Sequence, residues 1–98
     1  MNKLEQARLV INEADAQIAH YFEKRMHAAE DVVAYKMENG LPVFDPVREK
    51  EVVEKNLARI QDEKLKPYFE DMLTQLMRIS KEYQNAIMQN NGTDSKNN

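Results

Sequence analysis

Residues 4–37 read LEQARLVINEADAQIAHYFEKRMHAAEDVVAYKM, thirty-four positions without a glycine or a proline. Leu4, Ala7, Ile11, Ala14, Ile18, Tyr21, Ala28, Val32 and Tyr35 recur at alternating spacings of three and four, the period of one helix face, and Arg25 interrupts the series. A helix of that length extends about 50 Å, whereas a compact domain of this size has a radius of gyration near 13 Å. It must overhang its own domain. An apolar stripe along its whole length needs a cover larger than the remaining sequence supplies, and a second copy of the chain is the simplest one.

Outward from this stretch, the punctuation is sparse: Gly stands only at 40 and 92, and Pro only at 42, 46 and 67. Glu38 to Phe44 ends the long helix, and Asp45-Pro46 reads as an N-cap followed by proline at the first helical position. A second helix is expected from Pro46 to about Asp62, with Val53, Leu57 and Ile60 inward. Pro67 opens a third, to about Met88, with Phe69, Leu73, Leu76, Tyr83 and Ile87 inward. The fold class is therefore all-α, with three helices per chain, one very long. Residues 1–88 form one domain, and the polar stretch 89–98 is expected to be a disordered tail.

Composition narrows the function. Of 98 residues 42% are apolar, enough for one small core that would benefit from a second chain. The net charge of -3 gives no global positive field for nucleic acid or anionic lipid, so any basic site must be local. The absence of cysteine excludes disulfides and thiol chemistry. Met1 to Gln6 enters charged sequence directly, without the apolar run of a signal peptide, and no stretch suits a membrane span, so the cytoplasm is the expected compartment.

The telling positions are polar residues on apolar faces. Lys36 lies eleven residues after Arg25, about 20° round the helix and roughly 16 Å along it, so both cations point the same way. Either alone reads as a long side chain snorkelling at the core's edge. On the third helix Ser80 and Gln84, four apart, share the face of Leu73, Leu76 and Ile87. Two cations and two neutral hydrogen-bonding groups converging on one small interior would each be unfavourable unless a partner lay between them. Arg8, seventeen residues before Arg25, is about 25 Å away and turned by roughly 100°, so it can serve such a site only in another subunit. His20 and His27 lie ~10 Å apart along the helix, too far to hold one metal, and read as surface residues. Asn91-Gly92-Thr93 fits the glycosylation pattern but has no consequence without a secretory signal.

Set in order, Arg8, Ile11, Asp15, Arg25, Lys36, Asp45-Pro46-Val47-Arg48-Glu49 and Ser80-Lys81-Glu82-Tyr83-Gln84 resemble the all-helical chorismate mutases over residues 4 to 88. The resemblance implies an intertwined helical homodimer with two sites, each completed by one arginine from the neighbouring subunit, and a part in phenylalanine and tyrosine biosynthesis. It further implies that Arg8 of the partner subunit and Arg25 hold the two carboxylates of chorismate, with Ser80 on one of them. Asp45, largely through its backbone, and Glu49 would bind the ring hydroxyl, with Arg48 supporting the pocket beside Glu49. Lys36 and Gln84 would be the catalytic pair at the ether oxygen.

The implied reaction, a [3,3] rearrangement of chorismate to prephenate within one molecule, needs no nucleophile, metal or cofactor, and none is expected. Two readings stay open beside it. An isochorismate pyruvate-lyase would use the same scaffold on a related dianion, and a non-catalytic helical interaction module would account for the long stripe but not for the inward Arg25, Lys36, Ser80 and Gln84.

Overall fold

The computed structural model describes the backbone of residues 1–97 and the side chains of residues 1–91. It is all-helical: α1 spans Lys3–Glu38, α2 Pro46–Leu57 and α3 Lys66–Asn97, with a 3₁₀ turn at Glu63–Leu65 leading into α3. Among the described residues there is no strand, and no helix is long and apolar enough to cross a membrane.

Local chemistry sets each boundary. Asn2 caps α1, its Oδ1 accepting from the Glu5 N–H at 2.8 Å. At the other end Gly40 adopts φ +64°, open to glycine without strain. That turn lets the Leu41 N–H reach the Lys36 carbonyl at 2.8 Å and the Gly40 N–H reach that of Met37 at 3.4 Å, satisfying two carbonyls the helix would leave bare. Asp45 caps α2 as expected, its Oδ1 accepting from the Arg48 N–H at 3.0 Å with Pro46 in the first turn.

Helix α2 ends at Leu57, short of the Asp62 anticipated from its sequence. The N–H groups of Arg59 and Ile60 turn back three residues, to the carbonyls of Asn56 and Leu57, and the Asn56 amide donates to the Val52 carbonyl at 2.8 Å. Asp62 serves as a cap instead, accepting from the Lys64 N–H at 3.3 Å at the start of the 3₁₀ turn. Helix α3 includes Gln89 to Asn91. Beyond Asn91, the polar tail expected at 89–98 lies outside the residues described in full.

Both α1 and α2 pack on α3. Tyr83 Oη donates to Glu30 Oε2 at 2.6 Å and Asn91 Nδ2 to Met37 Sδ at 3.8 Å, so contacts climb α1 and α3 in step and the two helices run parallel. The buried apolar core is small: Ala29, Val33, Val43, Val52, Leu73 and Met77. Leu73 faces inward as the pattern implies, while Val53, Leu57, Ile60, Phe69, Leu76 and Ile87 are half-buried and Tyr83 sits at the exposed edge. On α1 the buried positions are Ala29 and Val33, one residue round from the stripe ending in Ala28, Val32 and Tyr35. The helix carries two adjacent apolar stripes, and its own chain covers one.

The other stripe is open. Leu4, Ile11, Ile18 and Tyr21 are each more than half exposed. The chain measures 61 × 29 × 15 Å with a radius of gyration of 17.6 Å, against about 13 Å for a compact chain of this length. Its accessible surface is 7972 Å², where a compact 11.5 kDa monomer exposes about 5,800 Å².

Candidate active site

Three short stripes meet around one cleft of about 290 Å³. The C-terminal half of α1 contributes Arg25, Ala28, Ala29, Val32 and Lys36. The cap and first turns of α2 supply Asp45, Arg48, Glu49 and Val52. From α3 come Met77, Ser80, Lys81 and Gln84. Each set repeats at three or four residues, so each is one face of a helix, and the polar members of all three faces converge.

Arg25 is half-buried, and among the described residues it has neither a carboxylate nor a hydrogen-bond partner. Burial first, and then the like charge of Arg48, push its guanidinium below the ordinary arginine range. It nevertheless stays charged, because arginine does not deprotonate in proteins. Lys36 Nζ donates to the Val43 carbonyl at 2.8 Å, which folds the loop after α1 back over the cleft and leaves two ammonium hydrogens unspent. Asp45 is occupied by its cap, while its own N–H has no partner among the described residues. Arg48 reaches Glu51 at 3.8 Å across open solvent, a weak pairing that leaves its charge available.

Ser80 and Gln84 are both buried. Gln84 Nε2 donates to Ser80 Oγ at 3.1 Å, so the Ser80 hydroxyl hydrogen and the second amide hydrogen remain to be given elsewhere. Gln84 Oε1 is buried with no partner among the described residues, a departure from the usual satisfaction of interior polar atoms. Arg8 is exposed near the start of α1 and does not line the cleft. With four cations and two carboxylates, the lining carries an excess of two positive charges inside a chain whose net charge is -3. It suits a small dianion, held by fixed donors in a partly desolvated place.

Compared with known families, residues 7–85 match the family described as chorismate mutase type II. The chain belongs to the type II chorismate mutase family. Neither the curated proteins nor the solved structures contain a match to it.

Seven of the eight site residues anticipated for a chorismate mutase thus border one cleft, and the eighth, Arg8, does not. Sequence reasoning missed Lys81, whose Nζ lies 2.8 Å from Glu49 Oε2 and 4.8 Å from the centre of the Phe44 ring. Its position within Ser-x-x-x-Gln carried no helical-period signal, because a lysine there reads as solvated surface. It also missed a second cleft between α1 and α3, about 390 Å³ and almost wholly apolar, bordered by Ile18, Phe22, Met72, Leu76 and Ile79. Arg25 borders both clefts.

Proposed function

We propose that this chorismate mutase family member rearranges chorismate to prephenate, as a homodimer in which each site is completed by Arg8 of the partner subunit. The observation that carries the reading is Arg25: a half-buried cation with no anion partner among the described residues, in a cleft that already holds an excess of positive charge. Its unfavourable desolvation is offset when a carboxylate arrives.

The reaction closes a bond between two ends of one flexible dianion, so its first requirement is to hold the compact conformer. Arg25 grips one carboxylate with the planar fork that suits it, Ser80 adds its hydroxyl hydrogen, and the partner subunit's Arg8 takes the other carboxylate. The N–H of Asp45 and the carboxylate of Glu49 fix the ring hydroxyl. As the C–O bond breaks ahead of C–C bond formation, negative charge grows on the ether oxygen. Lys36 and Gln84 are the donors there, and they bind that charge more strongly in the transition state than in the substrate.

The dimer is supported by surface. The chain exposes roughly 2,200 Å² more than a compact monomer of its mass would, an excess of the size that obligate dimers bury. The uncovered stripe of α1 and the apolar cleft between α1 and α3 are the surfaces a second copy would cover.

The test is incubation of the purified protein with chorismate and, separately, with isochorismate. Prephenate from chorismate is expected. Salicylate plus pyruvate from isochorismate, without prephenate from chorismate, would replace the mutase reading by the lyase on the same scaffold.

A further inference from the structure

We infer that Lys81 is a positioning residue of this reaction, holding Glu49 by Oε2 so that its other oxygen is presented to the substrate's hydroxyl; the inference rests on the proposed mutase reading. The Lys81–Glu49 pair, at 2.8 Å, joins α3 to α2, whereas the other ion pairs among the described residues link positions no more than four apart. The two side chains are only 32% and 28% exposed, so their attraction is less screened than that of a surface pair. The ring of Phe44, 4.8 Å from Nζ, gives the ammonium a second seat on the loop leading into α2. Three elements therefore meet at one lysine at the border of the cleft.

A site for a dianion that also contains a carboxylate has a difficulty: Glu49 repels the substrate whose hydroxyl it must accept. Lys81 removes it by neutralising Glu49 before the substrate enters and by fixing which oxygen stays free. The ring hydroxyl sits on the carbon beside the one whose C–O bond breaks, but it neither changes its own bonds nor takes up formal charge in the rearrangement, so this interaction is much the same in ground and transition states. Its loss appears in KM and not in kcat.

The experiment compares kcat and KM for chorismate in wild type, Lys81→Met, Lys81→Arg, Glu49→Gln and the double variant Lys81→Met/Glu49→Gln. It is joined by the side-chain carboxylate 13C signals of glutamate-labelled wild type and Lys81→Met. Lys81→Met is expected to raise KM about tenfold with kcat within about threefold, as for loss of one charge-assisted hydrogen bond that orients a binding group. Lys81→Arg should recover most of that loss. In the Glu49→Gln background the same substitution should change KM less than twofold, because the group it acts through is gone. The Glu49 carboxylate signal should shift in Lys81→Met. An unmoved signal, a KM within twofold of wild type, or an equal effect in both backgrounds would overturn the inference. If wild type failed to convert chorismate, the proposed reaction would fall, and the carboxylate signal would still decide whether Lys81 holds Glu49.

Discussion

Replacing Arg25 by Met should make the protein more stable and nearly inactive. Arg25 is the one cation of the cleft with neither a carboxylate nor a carbonyl partner among the described residues, and both burial and Arg48 disfavour its charge. A thioether of similar length keeps the apolar contacts along the stem and removes the charge. Relief of such a functional-site penalty is worth about 1 kcal/mol, and for a chain of this length that raises Tm by about 4–8 °C. The sign with pH follows from the direction of the shift. A base whose folded pKa is depressed destabilises the fold wherever it is protonated, and the penalty fades only as pH rises through that pKa. Arginine stays protonated throughout the working range, so the gain should be flat from pH 6 to 8. Activity should move the other way. Losing a bidentate pair to a substrate carboxylate forfeits about 3–4 kcal/mol, or a factor of roughly 10² to 10³ in kcat/KM. The assay is thermal unfolding by circular dichroism at pH 6, 7 and 8, at matched protein concentration, beside initial rates of chorismate loss. A variant that melts below wild type would show that Arg25 is paired in the folded protein. One that keeps wild-type kcat/KM would remove it from the site.

Other outcomes follow from the same geometry. Sedimentation should find a dimer at micromolar concentration, and Arg8→Ala and Arg25→Ala homodimers, each nearly inactive, should regain activity when refolded together. Mixtures that stay inactive despite subunit exchange would mean that Arg8 does not reach the neighbouring site. Gln84→Ala should lose on the order of 10² to 10³ in rate without a new pH dependence, as for removal of an oxyanion donor. Gln84→Glu should be active only while the new carboxyl is protonated, its activity falling as pH rises; wild-type kcat/KM at pH 8 would separate Gln84 from the reacting oxygen. The hydrogen bond to Glu30, with smaller contributions from desolvation and charge, raises the Tyr83 phenol above its ordinary range. Ultraviolet titration should show one tyrosine moving down in Glu30→Gln, and any stability this bond contributes should be present at neutral pH and lost as pH rises through the raised value.

Helix identity and the polar members of the cleft were legible in the linear chain, because both depend on short-range periodicity. Thirty-four residues without Gly or Pro can hardly be anything but helix, and Asp45-Pro46 starts α2 through a bond only three residues long. Arg25, Lys36, Ser80 and Gln84 stood out because a charge or an amide on an apolar face is unfavourable without a reason. Asp62 was misread because a cap and a last-turn carboxylate look alike until the chain is seen to reverse there. Which of two adjacent apolar stripes on α1 faces its own chain depended on the approach of α3, which buries Ala29 and Val33 and leaves Val32 at the cleft. Lys81 acquired a role only through residues 32 and 37 positions before it, Glu49 and Phe44, brought together by the packing of α2 on α3. Periodicity reports which face of a helix is apolar and which polar residue interrupts it; the partner of that face or residue is set by packing between distant segments, and no local pattern encodes it.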